Sequence, residues 1–444
     1  MHVHINLIAI LRYNMSRPFM RLLGSEQSLF TGKVRAYLRY RAFNFEEVLC
    51  TRDVYKAEII PNVGWPVVPV VHVATIDDQE SSSWLQDTSV IIDECERRWP
   101  DSSRPVIPTQ PRQRYASYLL ESYADEWLLL PAMHYRWSFP EENEAFLIHE
   151  FGMVSAGPAA DAATIEAAGR KAYAAFRATV TSGCLGINKD TAPHVEAEYE
   201  AFLLDFNAHL ASAQYLLGDA PSLGDFGCMA PLYAHLGRDP APQALMKRIA
   251  PRVADYVERM NGYGNSRVAP PTPMTEHPSL LAAADSTSEQ ALPWNKASSV
   301  RTGAWLEEDA LPPTLLPIMR RIFASHVPAI TASARGLREF LASNPEIDRN
   351  DLHAGIGGLA RETTSWHETV IGGVKTKAAP RPSLIWMAQR AAAVYLEDED
   401  SAVMDGVVEA CDGVEAWGEM LEELKRCRVE RVGRGERFSV SIIE

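Results

Sequence analysis

The chain has 444 residues, 46% of them hydrophobic and 23% charged, with a formal net charge of -15. That length exceeds one ordinary core and predicts about three domains at roughly 150 residues each, with the composition of a globular chain rather than a disordered or fibrous one. The acidic balance, without a long Lys/Arg run, excludes a broad nucleic-acid footprint.

The six cysteines (Cys50, Cys95, Cys184, Cys228, Cys411, Cys427) are scattered, without the spacing of a zinc site or a disulfide framework, which fits a reducing, cytoplasmic setting. Residues 1–18 read as an N-terminal extension. Its apolar run from Ile5 to Leu11 is too short to span a bilayer, so no membrane partner is expected.

Phe19 to Gly24 reads as a buried strand ended by a turn residue. Val34, Tyr37, Leu38 and Arg41 then recur at helical spacing, predicting a helix over 31–41 with Ser28 to Thr31 at its mouth. Strands are expected over 45–49, 67–73 and 83–85, with a turn-rich stretch over 77–82, and a helix over 87–99 stops at Pro100. The order β-α-β, an intervening segment, then β-β-α fills residues 19–100.

Residues 111–263 show only helical patterns. The longest, over 115–137, carries Tyr123, Trp127, His134 and Trp137 at three- and four-residue spacing. Residues 264–300 turn rich in Pro, Ser, Thr and Asn and read as a linker. Residues 301–444 form a mostly helical extension: an amphipathic stripe runs from Leu315 to Phe323, strands are expected between 353 and 377, and a helix over 383–396. The glycine clusters at 355–358 and 433–435 read as turns. His353 and His367 lack ligand-spaced partners, so no metal is expected.

Three segments give the first domain a chemistry. Ser28-Leu29-Phe30-Thr31-Gly32-Lys33-Val34-Arg35, between a strand and a helix, resembles the active-site loop of glutathione transferases. Thioredoxin-like redox proteins carry two cysteines here, and the hydroxyls of Ser28 and Thr31 disfavour disulfide exchange. A hydroxyl suits a thiolate: lowering a thiol pKa by two units takes roughly 2.7 kcal/mol, the size of one charge-assisted hydrogen bond plus a helix N-terminus. On the residues alone, Ser28 or Thr31 equally well caps the helix.

The second segment is Val68-Pro69 within Gly64 to Val70, and the third is Gln86-Asp87-Thr88 before a helix. The resemblance implies a thioredoxin-like α/β domain that binds glutathione as co-substrate. It implies a cis Pro69, with the Val68 backbone pairing the cysteinyl backbone, Thr88 on the γ-glutamyl carboxylate and Asp87 on its ammonium. Asp87-Thr88 departs from the family's usual pair, although it keeps the acid and hydroxyl chemistry, and simple N-capping accounts for it equally well.

Leu217 to Phe226 resembles the capping motif of the family's all-α second domain, with Ser222 and Asp225 as the box. Ser28 would stabilise the thiolate of glutathione, which attacks a small electrophile in conjugation or isomerisation, a detoxification chemistry, with Tyr123 and Trp127 on the substrate pocket. Lys56 is the nearest candidate for the glycyl carboxylate. The alternative is a binding or interaction protein that keeps the fold without turnover. The extension is left open as a lid or a subunit interface, and a homodimer is compatible with either.

Overall fold

The computed structural model describes residues 18–74, 83–180, 183–262, 304–353, 366–397, 402–432 and 437–443. The extension up to residue 17, the turn-rich stretch over 77–82, the linker and both glycine clusters lie outside them.

β1 (Phe19–Gly24) buries Met20, Leu22 and Leu23 completely. α1 (Leu29–Tyr40) buries Val34, Tyr37 and Leu38 at the predicted spacing. It returns the chain to β2 (Asn44–Leu49), which pairs with β1 in parallel, the geometry that requires a crossover. The intervening segment is α2, helical over residues 52–63 with a π turn at Tyr55–Ile59, closed by Gly64 at φ 81°. β3 (Val70–Val73) and β4 (Ser83–Gln86) follow, then α3 (Thr88–Arg98). The sheet order is β2-β1-β3-β4, with β3 antiparallel to both neighbours: a thioredoxin-like domain. β3 begins three residues later than the apolar run predicts, because Pro69 has no N–H for a ladder and Val67 and Val68 stand outside the sheet.

The long helix is α4 (Pro111–Ser122), a π turn (Tyr123–Trp127) and α5 (Leu129–Ser138) in one run. α6 (Pro140–Ala156) and α7 (Ala162–Val180) pack backbone to backbone: a Cβ added at Gly169 would stand 1.9 Å from the Ile148 carbonyl oxygen. α8 (Ala192–His209), α9 (Leu223–Ala234), α10 (Pro240–Ile249) and α11 (Pro251–Gly262) complete the helical region. α9 is its axis. The Asp225 carboxylate accepts from Ser222 N at 2.8 Å, Leu216 N at 3.0 Å and Tyr256 Oη at 3.1 Å, so the expected capping box is present and wholly buried.

The extension opens with a 3-10 turn at Pro313–Leu315, then α12 (Leu316–Arg321), a π turn (Ile322–His326) and α13 (Val327–Ser343). β5 (Leu352–His353), the hairpin β6 (His367–Ile371) and β7 (Val374–Ala378), α14 (Pro382–Glu397), α15 (Ala402–Ala410), α16 (Val414–Arg426), β8 (Cys427–Arg431) and β9 (Arg437–Ile442) follow. The second sheet runs β5-β9-β8.

This region shares the hydrophobic core of the rest: Met20, Phe226 and Trp417, one from each region, belong to one continuous cluster. The tie is also polar. α4 has no side-chain cap from its own flank, and Asp309 supplies it, accepting from Arg112 N at 2.7 Å and Gln113 N at 2.9 Å.

Candidate functional site

Strand register brings the three segments together. Leu23 of β1 stands opposite Val70 of β3, and Val70 opposite Gln86 of β4. The residues after β1, before β3 and after β4 therefore leave the sheet at one end, which puts Ser28, Val68-Pro69 and Asp87-Thr88 at a common edge.

Ser28 is the N-cap of α1, and its Oγ accepts from Thr31 N at 3.3 Å. A hydroxyl that accepts through a lone pair still has its O–H to donate, so capping and binding an anion are compatible. The preceding loop is held from the helical side. Arg136 Nη1 and His235 both reach the Gln27 carbonyl at 3.2 Å, and Tyr233 donates to Glu26 at 2.7 Å. Arg136 is itself fixed by a buried two-point pair with Asp239, at 2.7 and 2.8 Å. Burial, then Arg136, holds His235 far below the ordinary imidazole range, so this support is a neutral ring.

The Val68-Pro69 bond is cis. Pro69 is buried and Val68 half-buried, and the Val68 backbone makes no hydrogen bond to another described residue. Lys56 is exposed on α2.

Asp87 sits at φ 75°, a backbone region that L residues seldom adopt. Its Oδ1 caps α3, accepting from Ser89 N at 3.0 Å and Val90 N at 3.2 Å. Its Oδ2 faces the guanidinium of Arg431, an ion pair across 344 positions of sequence. Thr88 is only 4% exposed.

Tyr123 and Trp127 lie on the π turn and are buried. They face a void of about 10 Å³, at the lower limit for a single water. His326 of the extension lies edge-on to both rings and meets Ser122 Oγ at 2.9 Å. His134 binds Glu196 at 2.6 Å, and Trp137 stacks on Phe151. The structure thus brings Ser28, Val68 and Asp87 to one edge and packs these four aromatic and imidazole side chains into the interior.

Sequence reasoning missed three arginines of the extension. Besides Arg431 on Asp87, Arg381 binds Glu126 of the π turn at 2.8 Å, and Arg390 bridges Asp93 at 2.8 Å and Glu121 at 3.1 Å. Glu121 also holds the fully buried Lys33 at 2.7 Å, together with Asp125 at 2.6 Å. Burial pushes the Asp125 carboxyl up to about 7 against the pull of Lys33. No local pattern marks the three arginines, because their partners lie 255 to 344 residues away.

Among the described residues, no group of three or more His, Cys, Asp or Glu side chains could hold a metal ion, and no helix is long and apolar enough to cross a membrane.

Residues 22–103 match the family model described as the glutathione S-transferase N-terminal domain. No curated protein matches the chain. Among solved structures it is similar to the beta-etherase LigF from Sphingobium sp. strain SYK-6, at 14% identity over 55% of this chain and 94% of that one, with a TM-score of 0.37. A glutathione S-transferase from Methylobacterium radiotolerans, in complex with glutathione sulfonate, is 16% identical over 62% of this chain and 100% of that one, with a TM-score of 0.32. Another from Methylobacillus flagellatus, with GSH bound, is 20% identical over 54% and 93%, with a TM-score of 0.32. Residues 22–103, which hold the four-stranded sheet ahead of the helical region, therefore carry a glutathione S-transferase N-terminal domain of thioredoxin-like fold.

Proposed function

We propose that the chain binds glutathione at the edge formed by Ser28, Val68 and Asp87-Thr88, and that the Ser28 hydroxyl donates to the glutathione sulfur and stabilises its thiolate. One observation carries this reading: a half-buried serine whose lone pair caps α1 retains its O–H at the sheet edge that also carries Val68, whose backbone has no hydrogen-bond partner among the described residues. The α1 N-terminus adds partial positive charge at the same point. Val68 N–H and C=O would pair with the cysteinyl backbone, and Thr88 and Asp87 would receive the glutamyl head. The thiolate then attacks a small electrophile, with conjugation or isomerisation as the reaction class.

A second reading, a glutathione-binding protein without turnover, has its own observation in favour. Tyr123 and Trp127, the expected walls of an electrophile pocket, meet the His326 ring edge-on, and the void that they border is only about 10 Å³, which admits no co-substrate. Titration calorimetry with glutathione on the intact protein and on Ser28→Ala, read together with thiolate absorbance, tests the proposal. Binding by both, with the thiolate signal lost only in the variant, supports thiolate stabilisation by Ser28. No heat from the intact protein ends the glutathione reading, and binding without a thiolate signal in the intact protein leaves the second reading standing.

A further inference from the structure

The glutamyl end of the edge contains a residue that no first-domain pattern could supply. Arg431 ends β8, and β9 sets Phe438 directly opposite it. The guanidinium lies 4.8 Å from the Phe438 ring centroid and 4.9 Å from that of Trp386 on α14. Two rings of the extension therefore position the cation, independently of Asp87. Its Nε is buried and has no acceptor among the described residues, so the group is only partly satisfied by Asp87.

Asp87 spends Oδ1 on the cap of α3 and turns Oδ2 to this arginine, with the Thr88 hydroxyl next in sequence. The mouth of α3 thus presents a fixed cation and a fixed anion side by side. An α-amino acid head carries the complementary pair, an ammonium and a carboxylate on one carbon.

We propose that Arg431 is a ligand-binding residue, which takes the α-carboxylate of a γ-glutamyl thiol together with Thr88 while Asp87 receives the ammonium. The inference rests on the glutathione reading above and deepens it: the site is built from both ends of the chain, and the extension selects ligands that keep a free glutamyl α-carboxylate. Binding exchanges one internal ion pair for two across the ligand and gives the guanidinium a second acceptor.

The test is calorimetry on the full-length protein with two probes, glutathione and its analogue in which the glutamyl α-carboxylate is replaced by hydrogen. Arg431→Gln is expected to weaken glutathione about 10- to 100-fold, the scale of a charge-assisted pair, and to leave the analogue within about twofold. Arg431→Lys keeps the charge and loses the fork. It is expected to weaken glutathione by less than Gln does, again without effect on the analogue, and it serves alone if the Gln variant does not fold. A purely structural arginine would weaken both probes alike, which overturns the proposal. Unchanged or tighter glutathione binding in Arg431→Gln also overturns it and makes the side chain a plug. Absence of binding by wild type and variant alike sinks the glutathione reading together with this one, and is told apart by the missing wild-type heat.

Discussion

Two side chains define the residue scale, and each gives a number to measure. Ser28 caps α1 through its oxygen and is proposed to hold a sulfur anion through its hydrogen, so Ser28→Ala removes both. The expected cost is about 1 kcal/mol of stability for the cap, read as a lower urea midpoint. A rise of about one to two pH units in the pKa of the bound thiol, seen by absorbance titration, is the separate sign of the lost donor. His326 stays neutral through the range in which an exposed imidazole takes up its proton. Burial, then Arg381, lowers it from 6.5 to about 3. The folded state therefore holds the ring neutral where the unfolded chain would protonate it: its contribution is full above about 6.5 and falls as pH drops toward 3. His326→Gln is expected to flatten the acid side of the stability curve, the gap between wild type and variant changing by up to about 1.4 kcal/mol per pH unit between pH 6 and 4. Parallel curves would mean that His326 is not held neutral.

At the scale of elements, what was legible depended on whether the stabilising partner was near in sequence. The helix over 31–41 was readable because Val34, Tyr37 and Leu38 repeat on one face, and its start at Leu29 follows from the Ser28 cap that the same residues offered. The Ser222 to Asp225 box was readable because a capping box closes within three residues. α4 shows the limit. Its N-terminal N–H groups are satisfied by Asp309, nearly two hundred residues away, and no pattern near Pro111 announces that. Asp309→Ala is expected to cost about 1 to 2 kcal/mol, with hydrogen exchange rising first in the opening turn of α4. Unchanged exchange at Arg112 and Gln113 would mean that water replaces the carboxylate at no cost. The π turn at Tyr123–Trp127 was likewise invisible to a pattern that reads one helix over 115–137.

For the whole molecule, the extension belongs to the folded body. It shares the continuous core, caps α4 and sends Arg381, Arg390 and Arg431 to acids on α3, α4, the π turn and the mouth of α3. Arg390 is the most exacting of these contacts, since Glu121 also answers to the buried Lys33. Arg390→Met is expected to destabilise the protein by about 3 to 5 kcal/mol, the range for removing one member of a buried ionic cluster. Unfolding should remain a single cooperative transition in calorimetry, and a separate early transition for the extension would contradict the shared core.

The amino-acid sequence by itself determined the thioredoxin-like order of strands and helices, the helical region behind it, and the placing of Ser28, Val68-Pro69 and Asp87-Thr88 at loop positions, because periodicity, capping and turn chemistry act within a few residues. Only the tertiary structure decided that Arg431 faces Asp87, that Asp309 caps α4 and that Tyr123 and Trp127 pack under His326. Those are pairings between distant segments. They are selected by which buried charges and rings find partners once the extension packs on the first two domains, and that choice is made by the free energy of the assembled core rather than by any local stretch of chain.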